Sequence, residues 1–489
     1  MATDPNAAST PPSDGGGRLK ALIAVCCGLL CMAAIWTVFD PSWSAKLAGG
    51  VLFVIFCVVC QSYFRLRERA LLAIAALVTA IALWGADADG VQHVMDDLSR
   101  AAYLAAFMML MTSLRAGANT SSSVLAIGSY LTSQPPGRRY IALHLGGHFM
   151  GVLLNFGAIS LLGPLIKRGV DAASVTTPQL SEIRLRRQIS ALSRGFSWFN
   201  VWAPTAIAQA VVITTVPGAN ASVIAIAGVL MAIVLLGVGW GEDRLTGHRA
   251  RQKLVREGVP IPAVPPPDFP YAAIGRFLGV SAALVGLAWL IRHASGIPLV
   301  SGIMIAAVPV SIVWLFVQYL ENPAHPWPVF VSRARGVFTQ SLPAGSPEAA
   351  TLGLAGFIGI LGASLVDHSW LSESTFMNGV NPLMIYTTVA AIVPLASCIG
   401  LPPMMAVTFV GGILVGMPGL GLEPSVLGLS LLIGWGLNLT GSPFSASSLV
   451  LYRVTGIPGT VHSWRWNGVF TILSWMVASI VILIVSAVV

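Results

Sequence analysis

Apolar residues run on, again and again, for close to the roughly 20 positions that a membrane helix needs. Residues 21–39, 49–63, 71–84, 221–238, 272–290, 300–318, 352–366 and 470–488 are such runs. A water-soluble fold cannot use them, because only 9% of the 489 residues are charged, against about 25% in soluble domains. The pattern predicts an all-α integral membrane protein with roughly 10–12 spanning or half-spanning helices.

Charge then orients the helices. The net charge is +8, but Lys and Arg sit in loops beside apolar runs. That is the cytoplasmic-side bias of membrane proteins rather than a nucleic-acid surface. Residues 1–17, rich in Pro, Ser, Gly and Asp, read as a disordered cytoplasmic tail. Arg18 and Lys20 precede a first run that is longer than a signal-peptide core and lacks a cleavage site, so it reads as a retained helix. These features place the N-terminus in the cytoplasm of a bacterial inner membrane. Arg65, Arg67 and Arg69 bring the second helix back inside; Asp87, Asp89, Asp96 and Asp97 mark the outside.

The rule then meets a conflict. Arg138 and Arg139 look cytoplasmic, and so does the 167–194 stretch with Lys167, Arg168, Arg184, Arg186, Arg187 and Arg194. A single crossing between them would put the two clusters on opposite sides. Some segment between 116 and 194 must therefore enter and leave on one side, and such re-entrant backbone survives only where protein or a wet cavity covers it. The polar linker 241–270 divides the chain into a first membrane half, 18–240, and a second, 271–489.

Two polar interruptions resemble each other across that linker: residues 199–210 (FNVWAPTAIAQA) and 436–448 (GLNLTGSPFSASS). Each has an Asn, a small residue before Pro, small polar residues, then an apolar run and a Pro-Gly. Pro204 and Pro443 each remove a helix hydrogen bond and displace the carbonyl one turn back. Such carbonyls can bind Na⁺, and an exposed half-helix N-terminus favours an anion. Asn200, Thr205, Asn438, Thr440, Ser442, Ser445 and Ser447 add side-chain donors and acceptors. Broken helices at matching places in two halves are the sequence signature of a transporter's binding site.

Two further segments join them. Asn119, Thr120 and Ser121 lie in a run of small polar residues, 117–123, suited to a hairpin tip. His144, His148, Gly151 and Asn155 recur at one helical face, where the histidines are candidates for a coupling proton. The Gly-studded residues 401–419 mirror the 144–163 stretch loosely. No metal site is expected, since neither a third ligand for the histidines nor a paired Cys motif is evident; the buried cysteines read as packing residues. No nucleotide-binding motif appears, and no spanning segment shows a central Asp or Glu, which favours a neutral or anionic substrate.

The stretch 117–125 (GANTSSSVL) resembles the first hairpin tip of the ion transporter superfamily, the group of divalent-anion/sodium symporters, citrate carriers and arsenite permeases. That resemblance implies inverted repeats, each with a re-entrant hairpin and a proline-broken helix. It also implies ion or substrate contact at Asn119 and Thr120, and homodimers, since many such carriers are dimers. The Pro that commonly follows the family's tip is absent, and the second half shows no clear Asn-Thr tip. The expected function is a secondary active transporter that moves a small anion, an organic carboxylate or oxyanion, coupled to Na⁺ or H⁺, with no cofactor besides the ion and no enzymatic activity. The alternative is a membrane-embedded transferase acting on a lipid-linked substrate, with His325, Asp367 and His368 as its polar cluster.

Overall fold

The computed structural model describes residues 14–84, 88–172, 177–258, 265–321, 327–366 and 380–489. His325, Asp367 and His368 lie outside them. No strand occurs among the described residues, and ten of the helices are long and apolar enough to cross a membrane. The chain is an all-α integral membrane protein.

In chain order the helices are α1 (Asp14–Phe39), α2 (Trp43–Val59), α3 (Leu66–Leu83), α4 (Ala88–Asn119), α5 (Ser122–Thr132), α6 (Pro136–Leu154), α7 (Gly157–Asp171), α8 (Pro178–Trp202), α9 (Ile207–Thr215), α10 (Ala221–Arg256), α11 (Tyr271–Ser295), α12 (Leu299–Glu321), α13 (Trp327–Gly336), α14 (Ser346–Ser364), α15 (Pro382–Cys398), α16 (Pro403–Val415), α17 (Pro424–Gly441), α18 (Ala446–Thr455) and α19 (Gly468–Val488). Cys26, Cys27 and Cys31 of α1 and Cys57 of α2 are buried free thiols, as is Cys60 just beyond α2; all five act as small apolar packing residues.

Two helices form the centre. Residues 188–201 of α8 and 425–440 of α17 are buried without interruption. A helix buried on every face needs neighbours all round, and small residues supply the close approach. A side chain on Gly436 would meet Trp198 and the Ser197 carbonyl, so α17 crosses α8 there. Around this core, α4 and α12 run parallel in fixed register. Tyr103 pairs with Ser301, Ser113 with Ser311 and Thr120 with Gln318, each at a separation of 198 residues. Interhelical polar pairs of this kind contribute roughly 0.6 kcal/mol apiece in a membrane.

The 241–270 stretch differs from expectation. Its first 16 residues extend α10, which continues to Arg256. Glu, Arg, Leu, Lys and Gln favour helix there, and Asp243 anchors the extension to α8 through a bidentate bond with Arg187 at 2.8 and 2.7 Å.

The charge conflict is resolved by a hairpin. Gly147 of α6 packs on the Leu192 carbonyl, Gly195 of α8 on the His144 carbonyl, and Gly151 on Phe199. These pairs keep a nearly constant offset, so α6 and α8 are parallel and α7 returns between them. Arg139 and Arg184 consequently share one cavity at one end of the bundle.

Candidate functional site

Following α6 and α8 four residues beyond the Gly151–Phe199 contact, both helices stop at one depth. Helix α6 stops at Asn155, with φ 50° and ψ −131°. It is the one non-glycine residue with positive φ among the described residues, and its ψ lies outside the left-handed helical region that Asn commonly enters, so the turn is strained. Helix α8 stops at Ala203, and Pro204 begins the gap before α9.

The same device recurs on α15 and α17. Gly434 packs on Val393 and the Ala390 carbonyl, and the Cys398 thiol lies 3.9 Å from the Gly441 carbonyl. These helices too are parallel and end in register. The α15–α16 turn holds Gly400 at φ 92°, and α17 breaks at Ser442 and Pro443 before α18. Residues 401–419 hold only the second helix of this hairpin, whereas 144–163 span the turn of the first, so the two stretches are out of register.

Helices α8 and α17 run in opposite directions. Pro424, at the start of α17, meets Gly218 beyond α9, whereas His462, beyond the α17 break, meets Ser193. The two breaks therefore flank the crossing, separated by some ten residues of α8, or about 15 Å.

Near the first break and the crossing, several buried polar atoms have no hydrogen-bond partner: Asn155 Oδ1, Trp198 Nε1, Thr205 Oγ1 and both amide atoms of Asn438. Asn438 is 0% exposed. An orphaned buried group costs about 1–3 kcal/mol, so this concentration calls for an explanation. Asn200 is better satisfied, its Nδ2 donating to the Phe196 carbonyl at 3.2 Å.

The prolines do release carbonyls, but side chains recapture them. Leu439 O, one turn before Pro443, accepts from Ser447 Oγ at 2.7 Å and from Ser445 Oγ at 3.4 Å. Ser442 O accepts from Ser448 Oγ at 3.0 Å, and Val201 O from Gln209 Nε2 at 2.5 Å. What the breaks present in place of these carbonyls is hydroxyl and amide groups. Thr440 is buried and accepts from Thr471 Oγ1 at 3.0 Å.

The two histidines of α6 have different surroundings. His148 accepts from Trp202 Nε1 at its Nε2, 2.9 Å, and its Nδ1 bonds the Gly195 carbonyl at 3.0 Å. A carbonyl only accepts and an indole N–H only donates, so this network assigns the Nδ1–H tautomer and ties α6 to α8. His144 Nδ1 is buried without a partner.

His462 was not singled out from the sequence. It lies on a π-helical turn, Val461–Trp466, with Ser448 Oγ 3.0 Å from Nδ1 and Ser193 Oγ 2.9 Å from Nε2. Ser448 donates its one hydroxyl proton to the Ser442 carbonyl, so towards His462 it accepts from Nδ1–H, and Nε2 accepts from Ser193. Its carbonyl accepts from Asn467 Nδ2, and Asn467 Oδ1 accepts from Arg194 Nε, both at 2.8 Å. Arg194 is 3% exposed, pairs with Glu242 at 2.5 Å and lies over the Phe470 ring. Arg194 had read as part of a cytoplasmic basic loop; it is instead a buried charge inside α8. Its surrounding apolar sequence was the available signal, and the composition of the 184–194 cluster masked it.

The 117–123 segment lies elsewhere. Asn119 is the exposed last residue of α4; Ser121 caps α5, accepting from Val124 N. Thr120 donates to Gln318 Oε1 of α12 at 2.8 Å. Tyr103, which shares a cavity with Thr214 at the end of α9, is 17 residues along α4 from Thr120, about 25 Å. Asn119 and Thr120 thus lie at the end of α4, well away from the cavity that its middle shares with α9.

Together these features define an all-α membrane protein organised around two interrupted helices and two helical hairpins. No family model and no curated protein sequence matches the chain. Among solved structures, the YdaH transporter of Alcanivorax borkumensis superposes with a TM-score of 0.52 at 15% identity, covering 88% of this chain and 97% of that one. MtrF of Neisseria gonorrhoeae, from a class of antimetabolite efflux pumps, gives 0.47 at 12% identity, covering 87% and 97%. The likeness to YdaH is one of fold. It does not extend the resemblance of residues 117–125 to the ion transporter superfamily.

Proposed function

We propose that this protein is a secondary active transporter of a bacterial inner membrane, moving a small anion, an organic carboxylate or oxyanion. The observation that carries the reading is Asn438: a fully buried amide with neither atom paired, where two broken helices cross. A site built to hydrogen-bond a substrate leaves such groups unpaired without it. The fold shared with a solved transporter supports the same reading.

In this proposal α6–α9 and α15–α18 are inverted repeats whose hairpins enter from opposite sides, and whose tips meet the breaks in α8 and α17. Asn155, Asn200, Thr205, Asn438, Thr440 and Ser442 contact substrate or ion, while Pro204 and Pro443 set the breaks. One repeat moves against a scaffold that includes α4 and α12, exposing the site to each side in turn. The N-terminus and the Arg187–Asp243 end face the cytoplasm. For H⁺ coupling, His462 is the favoured carrier, because the hydroxyl oxygens of Ser448 and Ser193 can both accept from a protonated ring, whereas protonating His148 sets its Nε2–H against the Trp202 N–H. Na⁺ coupling would use the hydroxyls of Ser442, Ser445 and Ser447.

The test is uptake into proteoliposomes across a panel of carboxylates and oxyanions, with Na⁺ or pH gradients imposed separately. Asn200→Ala and Asn438→Ala should abolish uptake while the purified proteins remain monodisperse. Wild-type uptake in both variants overturns the site.

A further inference from the structure

The end of the bundle where α6 and α8 begin and α10 leaves its apolar stretch contains a cavity of about 600 Å³. Its position along α10 is set by charge. Residues 221–241 carry none, and Glu242, Asp243 and Arg244 follow directly. A charge-free run of that length is about 31 Å of helix, the thickness of a bilayer's hydrocarbon core. The cavity therefore opens at headgroup depth.

Its lining is lopsided. Arg139, Arg184, Arg187, Arg244, Arg249 and Arg251 line it, with His248 and a single acid, Asp243. Asp243 is taken by Arg187. Among the described residues the other five arginines have no carboxylate within ion-pair distance. Arg139 Nε is used by the Gln134 carbonyl and Arg244 lies over the Trp240 ring, 4.6 Å from its centroid. Arg139 and Arg184 are half-buried at the inner part, whereas Arg244, Arg249 and Arg251 form an exposed rim. Five unneutralised guanidinium groups repel one another unless an anion lies among them. The walls between them are apolar: Leu180, Ile183 and Leu254 line the cavity, and Leu245 on its edge is exposed.

A free anion needs the arginines but not the apolar walls. A phospholipid uses both, with its phosphate among planar guanidinium forks and its acyl chains along the adjoining apolar surface. We propose that this cavity is a binding site for the phosphodiester headgroup of an anionic phospholipid, held chiefly by Arg139, Arg184, Arg249 and Arg251.

Delipidated full-length protein, titrated with phosphatidylglycerol or phosphatidylcholine and read by native mass spectrometry, tests this. Wild-type protein should retain phosphatidylglycerol about tenfold better than phosphatidylcholine, with no loss on adding millimolar inorganic phosphate. Arg184→Gln/Arg249→Gln should reduce that preference to about twofold or less. If that variant does not fold, Arg249→Gln/Arg251→Gln, confined to the exposed rim, is read in the same way. Equal retention of both lipids by the wild type overturns the proposal. So does an undiminished preference in the variant, or full displacement by inorganic phosphate, which would make the ligand a free anion.

Discussion

Replacing Asn438 with leucine should stabilise this protein and silence it. Both amide atoms of Asn438 are buried without a partner, and each such atom costs about 1–3 kcal/mol. The side chain thus carries a penalty of about 2–6 kcal/mol in the unliganded state. Leucine has the same γ-branched, four-atom skeleton and no polar atoms, but its methyl groups and tetrahedral tip make it larger. Overpacking of this kind costs about 1–3 kcal/mol, against neighbours as tight as Gly436 on Trp198. The central expectation for Asn438→Leu is a gain of about 2 kcal/mol, read as a rise of a few degrees in the apparent melting midpoint of detergent-solubilised protein. Asn438→Ala removes the same orphan atoms but leaves a void, so its midpoint should stay near that of the wild type. Both variants should lose uptake, and both should lose any midpoint shift that an anion produces in the wild type. A fall in the midpoint of Asn438→Leu would refute the reasoning, because it would mean that the amide is satisfied in the native protein. Retained uptake would refute the functional half independently.

Four other outcomes follow from the same geometry. Gly195→Val drives a side chain into the His144 carbonyl, a backbone atom that cannot move aside; a loss of about 3 kcal/mol or more should appear as aggregated protein on gel filtration, and a monodisperse variant would refute the packing. Arg194→Met leaves Glu242 without its cation and should cost about 3–5 kcal/mol, much of it recovered in Arg194→Met/Glu242→Gln when melting midpoints are compared. Asn155→Gly keeps the positive-φ turn and should fold normally, whereas Asn155→Val should lose about 1–3 kcal/mol; equal midpoints would show that the turn is not strained. His462→Gln should abolish uptake driven by a pH gradient while leaving folding intact, and unaltered proton-driven uptake would remove His462 from the coupling path.

Much of the membrane architecture was legible because it rests on one-dimensional patterns. Apolar run length gave the class, and the two prolines located both breaks to within a residue. The conflict between Arg138–Arg139 and the 167–194 cluster was enough to require a hairpin, even though its tip could not be placed. Asn155 had been noted for its helical face, whereas its structural role is to turn the chain at positive φ, a backbone property that residue spacing does not reveal. Gly400 was passed over for the same reason: a glycine among fifty carries no mark of its conformation. The Asn119–Thr120 segment forms the turn between α4 and α5. Its small polar residues are right for a turn, but whether a turn lies inside a bundle or at its end depends on the length of α4, whose 32 residues carry it fully across.

The charges show why the remainder was not legible. Arg187 and Arg194 are seven residues apart, almost two full turns of one helix, and in sequence they read as one basic cluster. Their environments differ because of residues distant in sequence: Asp243 and Glu242 from α10, and Asn467 and Phe470 from the far end of the chain. Arg194 lies under the second break because α17 crosses α8 at Gly436, and glycines at 195 and 434 bring α6 and α15 close on either side. Buried ion pairs commonly cost as much in desolvation as they return in attraction, so α8 gains little stability from Arg194. What this arginine adds is a fixed ion pair with Glu242, linked through Asn467 to the backbone carrying His462 and held one turn from Trp198. That pair lies where the charged part of α10 begins, and it fixes the position of the His462 turn relative to α8. The Arg194→Met/Glu242→Gln pair separates these roles: stability returns with the double substitution, while anion uptake does not.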